Sequence, residues 1–207
     1  MRRISIRGGT FSHHGDNLNL VIVNAAKVSR AYFADGFDAD KTVAPTCWSS
    51  NTQVPNESVP EDQRQAKRCL DCKQNVRGSA GRGRACRFQQ RLAVVMEDNL
   101  EEVYQMLLPA TSIFGKTVSG GMPLQEYARH LNNNNTTVTA ILTHAFFDKY
   151  SSVPKVLFKP VRTLERDEVD VVASLLEHPD TKEAITSVER RSATPSPFDI
   201  VEGYAYK

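Results

Sequence analysis

Outside one window of 40 residues the chain has no cysteine at all: Cys47, Cys69, Cys72 and Cys86 are its only thiols. Thiols so confined cannot staple a 207-residue chain throughout, which excludes a disulfide-scaffolded class. Long apolar runs are missing too. None approaches the ~20 residues of a membrane-spanning helix. The opening "MRRISIRGGTF" is basic and has neither the apolar core nor the small-residue cleavage site of a secretory leader. The expectation is therefore a cytoplasmic protein that does not enter membranes. Its thiols stay reduced there, and a cysteine cluster favours a metal site over disulfides. Internal repeats are absent. Apolar content of 40% and charged content of 24% argue against wholesale disorder.

Net charge is also small, at +2, and does not by itself announce a polyanionic partner. Its distribution does. From Arg64 to Arg91 stand Arg64, Lys67, Arg68, Lys73, Arg77, Arg82, Arg84, Arg87 and Arg91, against Asp71 alone. The rest of the chain is net acidic, so charge is segregated along the sequence.

The apolar pattern predicts a mainly β fold with a few helices. Strands are expected over 17–24, 26–34, 88–97, 102–110, 136–148 and 155–161, the last ended by Pro160. A short helix is expected over 123–133, with Pro123 in its first turn and Leu124, Tyr127, Ala128 and Leu131 on one face. The strongest helix signal spans 163–178, with Thr163 as cap and acids in the first turn. Residues 179–189 either extend it or repack against it. No helix is expected in the first 120 residues, which disfavours a parallel α/β sheet. Antiparallel strands carrying a long excursion predict an OB-like Greek-key β-barrel. The expected division is one domain over 1–190, a basic insertion over 45–88 and a flexible tail over 191–207.

The cysteine spacing is Cys47-x21-Cys69-x2-Cys72-x13-Cys86. A Cys-x2-Cys pair lets two thiolates from one tight turn reach a single ion, and two more complete a tetrahedron with Zn–S near ~2.3 Å. A metal would close a loop too poor in apolar residues to fold unaided, while basic neighbours offset thiolate charge. A redox pair is the competing reading, but no βαβ pattern surrounds this one. Catalytic zinc keeps an open coordination position, which four thiolates would fill. The His-x-Glu…Pro-Cys-x-x-Cys pattern of zinc deaminases is absent.

"RGSAGRGRACRFQQR" sets Arg77, Arg82, Arg84 and Arg87 on a Gly-rich backbone able to approach a polyanion, with Lys73 upstream and Arg91 downstream as further candidate contacts. Arginine grips phosphate bidentately and stacks on bases. Trp48, Tyr32 and Phe88 are the aromatics best placed to stack bases, with Phe33 and Phe37 behind them; for each except Trp48 a core role is the competing reading. Phe146 and Phe147 are adjacent in an expected strand, so one ring points away from the core. With Tyr150 it is a candidate second platform.

The segments "CWSSN", "KRCLDC", "GRGRACRFQQRLAVV" and "PKVLFKPVRTLERDEV" resemble the OB-fold single-stranded DNA-binding proteins of tailed phages, some of which carry zinc in an inserted loop. The resemblance spans roughly residues 45–175. It implies zinc held by Cys47, Cys69, Cys72 and Cys86, and a non-enzymatic role coating exposed strands during replication or recombination. Single-stranded DNA is the implied partner, with RNA as the alternative polymer. Such proteins usually end in an acidic tail that recruits partners. Here "PSPFDIVEGYAYK" departs from that pattern, leaving Phe198, Ile200 and Tyr204 as the candidate contacts for replication or recombination proteins.

Two other classes compete. A zinc-ribbon module could present the same arginines to an acidic surface of host replication or transcription machinery. A metal-dependent nuclease could use Glu165, Asp167, Glu168 and Asp170 of "ERDEVD", although helix capping accounts for these acids more cheaply. His13 and His14 are most simply solvent-facing.

Overall fold

The computed structural model describes residues 1–12, 14–34 and 44–186. The tail contacts, Phe37 and His13 lie outside them. Strand β1 (Arg2–Ile4) is followed by a two-strand hairpin, β2 (Ile6–Arg7) and β3 (Thr10–Phe11). Gly8 and Gly9 form its turn with φ of 50° and 80°, the left-handed pair that two-residue hairpin loops favour. Then come β4 (Asn17–Ala25), β5 (Ser29–Tyr32), β6 (Cys47–Ser49), β7 (Arg87–Met96) and β8 (Asn99–Pro109). A single turn, α1 (Ala110–Ile113), and α2 (Leu124–Asn133) precede β9 (Ile141–Phe147) and β10 (Val156–Thr163), and α3 (Arg166–Leu175) and α4 (Pro179–Ile185) close the described fold.

The fold is mostly sheet with a few helices, as the composition predicts. It is not the expected closed barrel. Eight strands form one sheet in the order β1-β8-β7-β4-β9-β10, with β5 and β6 attached beside β7. Among the described residues β1 and β10 do not pair, so the sheet stays open. The reason is visible in β4 and β7, which are apolar at nearly every central position. Leu18, Leu20, Ile22, Leu92 and Val94 face one core, built with Ile113, Leu124, Tyr127 and Leu131 of α1 and α2. Val21, Val23, Ala93 and Val95 face a second, built with Val172, Leu175 and Ala184 of α3 and α4. A strand buried on both faces needs a layer on each side, and helices supply both layers. Among the described residues no helix is long and apolar enough to cross a membrane.

Several expected boundaries shift for local reasons. The 26–34 strand shortens to β5, because residues 26–28 carry the bend that lets β4 and β5 run along the same edge of β7. Pro160 does not end β10. It sits inside this end strand beside a bulge, where a missing N–H is tolerated. Ala128 is exposed while Leu124, Tyr127 and Leu131 are buried, and Pro123 precedes α2 as its cap position. The 136–148 strand begins only at Ile141, after a 3-10 turn over 138–140. Residues 179–185 form a separate helix, with Pro179 at its start. β1 pairs in parallel with β8, a strand that the basic opening does not announce. α1 and three 3-10 turns, over 61–63, 69–71 and 73–75, lie in a stretch expected to lack helix.

Thr163 does not cap α3. Glu165 does, in a reciprocal box with Glu168. Glu168 also accepts two bonds from Arg162, at 2.6 and 2.7 Å. The Arg162 pairing first, and the Glu165 amide second, hold the Glu168 carboxyl down at about 2. A depressed folded value adds stability above the ordinary carboxylate range and loses it as pH falls. Glu168→Gln is therefore expected to unfold ~2–4 °C below the wild type at pH 7. That gap should close as pH falls from 4.5 toward about 2. Thermal unfolding across that range checks it.

Candidate metal centre and nucleic-acid interface

The four cysteines come from separate pieces of chain. Cys47 opens β6 and lies across from Tyr32 of β5. Cys86 immediately precedes β7. Cys69 and Cys72 bracket a 3-10 turn. All four are buried and free of disulfides. They line a single small cavity of about 20 Å³, with Arg30, Tyr32, Trp48, Ser49, Pro55, Gln65 and Ala66. Such a volume holds roughly one water-sized occupant.

Backbone hydrogen bonds hold the turns around it. The Cys69 amide donates to Gln53 O at 2.8 Å, the Cys86 amide to Gln74 O at 2.8 Å, and Asn75 Nδ2 to Cys69 O at 2.9 Å. Apolar packing contributes little, for between Cys47 and Cys86 only Val59 is a buried aliphatic residue. Burial pushes the Cys86 thiol up to about 12, against the pull of the Arg30 charge. Burial raises Cys47 as well, partly offset by the backbone of Gln65.

Does this set fit a zinc ion? Among the described residues, no group of three or more His, Cys, Asp or Glu side chains is arranged to hold a metal ion as it stands. The donor chemistry nevertheless matches a four-thiolate site, and the cavity wall adds a further point. Arg30 Nε and Nη1 are buried and, among the described residues, have no hydrogen-bond partner. Buried donors without an acceptor are costly, and a doubly negative zinc–thiolate group would supply acceptors and opposite charge. In donor set and charge the residues fit; ligation would require the thiols to draw inward.

The basic residues divide sharply. Lys73, Arg77, Arg82, Arg84 and Arg87 are all exposed. No ion pair engages any of them among the described residues. Arg84 is steadied at its stem, where Nε donates to Asn75 O at 2.7 Å. The loop that carries Arg77, Arg82 and Arg84 closes on itself through the Gly78 amide to Gly83 O at 2.8 Å. Gly78 and Gly81 there have φ of 96° and 61°, which side-chain-bearing residues rarely adopt. Arg91 departs from the expectation. It is buried, with 6% of its surface exposed, because β7 is covered on both of its faces. Arg91 therefore belongs to the interior and leaves the phosphate-facing set.

The aromatics are likewise sorted by the fold. Phe88 does not offer a free ring: the Arg30 guanidinium lies 3.9 Å from its centroid and Phe114 packs edge-on at 5.4 Å. Tyr32 is half-buried in the cavity wall. Trp48 is not in a loop but in β6, half-buried and across from Ala31, which pairs on its other side with Arg87. Cross-strand neighbours share a face, so Trp48 and the exposed Arg87 flank small Ala31 on one side of the sheet. Phe147 is buried. Phe146 points to the opposite face but is half-covered by His144, Lys159 and the close backbone of Gly121. Tyr150 is 90% exposed.

Arg30 is the residue that sequence reasoning passed over, since a lone arginine in a strand carries no spacing signal. Of the proposed nuclease acids, Glu165 and Glu168 are engaged in the α3 cap. Comparison with known protein families, with curated proteins and with solved structures gives no match.

Proposed function

We propose that this chain is a non-enzymatic single-stranded DNA-binding protein whose cysteine-built module grips the sugar–phosphate backbone, with RNA as the alternative polymer. The observation that carries this reading is the set of exposed cations at Lys73, Arg77, Arg82 and Arg87, engaged in no ion pair among the described residues and rooted beside four buried thiols that share one cavity. Single-strand binders combine a positive track for phosphates with a stacking ring, and Trp48 beside Arg87 supports that pairing. Cys47, Cys69, Cys72 and Cys86 would hold a structural zinc ion, which supplies cross-linking of turns that lack a core. The replication or recombination setting, and the host cytoplasm as its place, rest on the resemblance to phage single-strand binders. This reading needs no closed barrel.

Titration of a fluorescent oligonucleotide tests it. Affinity for single strands should fall steeply between 50 and 200 mM salt, as counterion release requires, and should exceed affinity for duplex. Preference for duplex, or no binding at the lower salt, overturns it.

One observation favours a second reading. Leu70 and Val76 are 79% and 60% exposed amid the same cations, a mixture suited to docking on an acidic protein surface with apolar patches. Capture of host replication or transcription proteins that survives nuclease treatment would favour this zinc-ribbon role.

A further inference from the structure

Arg30 occupies the middle of β5, across from Ser49 of β6 on one side and Phe88 of β7 on the other. Its guanidinium rests over the Phe88 ring at 3.9 Å and reaches the cavity lined by the four cysteines. Stacking on an aromatic face satisfies part of a half-buried cation, but among the described residues the buried Nε and Nη1 still have no acceptor. Nearly all buried donors find one. Among the cavity-lining side chains no carboxylate is present, so the only groups there that can become anionic near neutral pH in the presence of a metal are the thiols.

We propose that Arg30 is the built-in counter-ion of the metal–thiolate centre, a positioning residue that donates to thiolate sulfur and offsets part of its negative charge. This rests on the zinc reading given above. The choice of arginine fits the geometry. A planar guanidinium can stack on Phe88 and still direct N–H groups sideways into the cavity, which a lysine ammonium does less well. Outer-shell partners of this kind commonly change metal affinity by 10- to 100-fold. A second consequence follows from the missing acceptor. In the metal-free protein Arg30 is a liability, so removing its charge should not weaken that form.

The test uses the full chain as wild type, Arg30→Met and Arg30→Lys. Zinc affinity is measured by competition with a chelating dye, and thermal unfolding is followed with and without zinc. Arg30→Met keeps an apolar stem over Phe88. It should bind zinc about 10- to 100-fold more weakly while its metal-free Tm equals or exceeds that of the wild type. Arg30→Lys should recover part of the affinity. If Arg30 only packs on Phe88, Arg30→Met lowers Tm equally in both forms with unchanged affinity, and the proposal is overturned. Should Arg30→Met fail to fold, Arg30→Lys decides: wild-type affinity with an equal Tm loss in both forms counts against it. A wild type that takes up no zinc sinks the metal reading itself, an outcome distinct from equal zinc binding by wild type and variants, which removes only the role of Arg30.

Discussion

Replacing Cys72 with Ser is expected to abolish zinc retention and, with it, binding of single strands. The purified wild type should carry about one zinc per chain by elemental analysis, and the variant essentially none. The magnitude follows from how little else holds the module. With Val59 its only buried aliphatic side chain between Cys47 and Cys86, the segment depends on turn hydrogen bonds and on whatever joins the thiols. Ligand binding free energy becomes folding free energy where no preformed core exists. Limited proteolysis should therefore cut the variant between residues 53 and 85 while the sheet survives, because β4, β7 and β8 are packed on two separate cores. Loss of the ordered cations should weaken single-strand affinity by about 10-fold or more. Chelation of the wild type should reproduce both effects. A wild type without zinc, joined to a Cys72→Ser protein that resists protease and binds as before, would reject the metal and its link to binding together.

The second large effect is expected from Arg82→Glu combined with Arg84→Glu. Both side chains are exposed, and among the described residues Arg82 has no partner whose loss would disturb the loop. Arg84 gives up one bond, from Nε to Asn75 O, so Arg84→Gln is the matched control for that contact. Each phosphate contact on a single strand contributes about 0.7 to the slope of log affinity against log salt. Removing two should flatten that slope by ~1.4, and reversal of sign should lower affinity by about 10- to 100-fold at 50 mM salt. The loss should be equal for oligonucleotides of different sequence, since phosphates carry no sequence information. Arg129→Glu on α2, where Arg129 pairs with Glu126, should leave binding unchanged. Anisotropy titrations against two unrelated sequences decide the matter, and a loss confined to one of them contradicts a phosphate role.

Phe88 and Arg91 illustrate where sequence reasoning stopped. Both lie in the strand expected over 88–97 and observed as β7, but the strand pattern does not say which of its side chains the fold covers. Burial of Arg91 depends on β4 and β8 flanking β7 and on the helices covering its faces. Trp48 shows the reverse: a polar neighbourhood suggests a loop, while pairing with Ala31 makes it part of a strand. The barrel expectation failed for a related reason. Strand content is local, but whether "LVIV" and "LAVVM" are covered on one face or two is decided by α3 and α4, which begin at least 70 residues beyond either strand.

By itself the sequence determined where the longer strands β4, β7, β8, β9 and β10 and the helices α2 and α3 fall, because alternation and helical spacing are short-range properties. It also confined every thiol and the densest positive charge to one stretch, since spacing and charge need no fold to be counted. Tertiary structure alone decided that the four thiols share a cavity, that two nitrogens of the half-buried Arg30 lie buried beside them, and which cations reach solvent. Those outcomes depend on β5, β6 and β7 meeting from distant parts of the chain, and burial is a property of the neighbours a residue acquires.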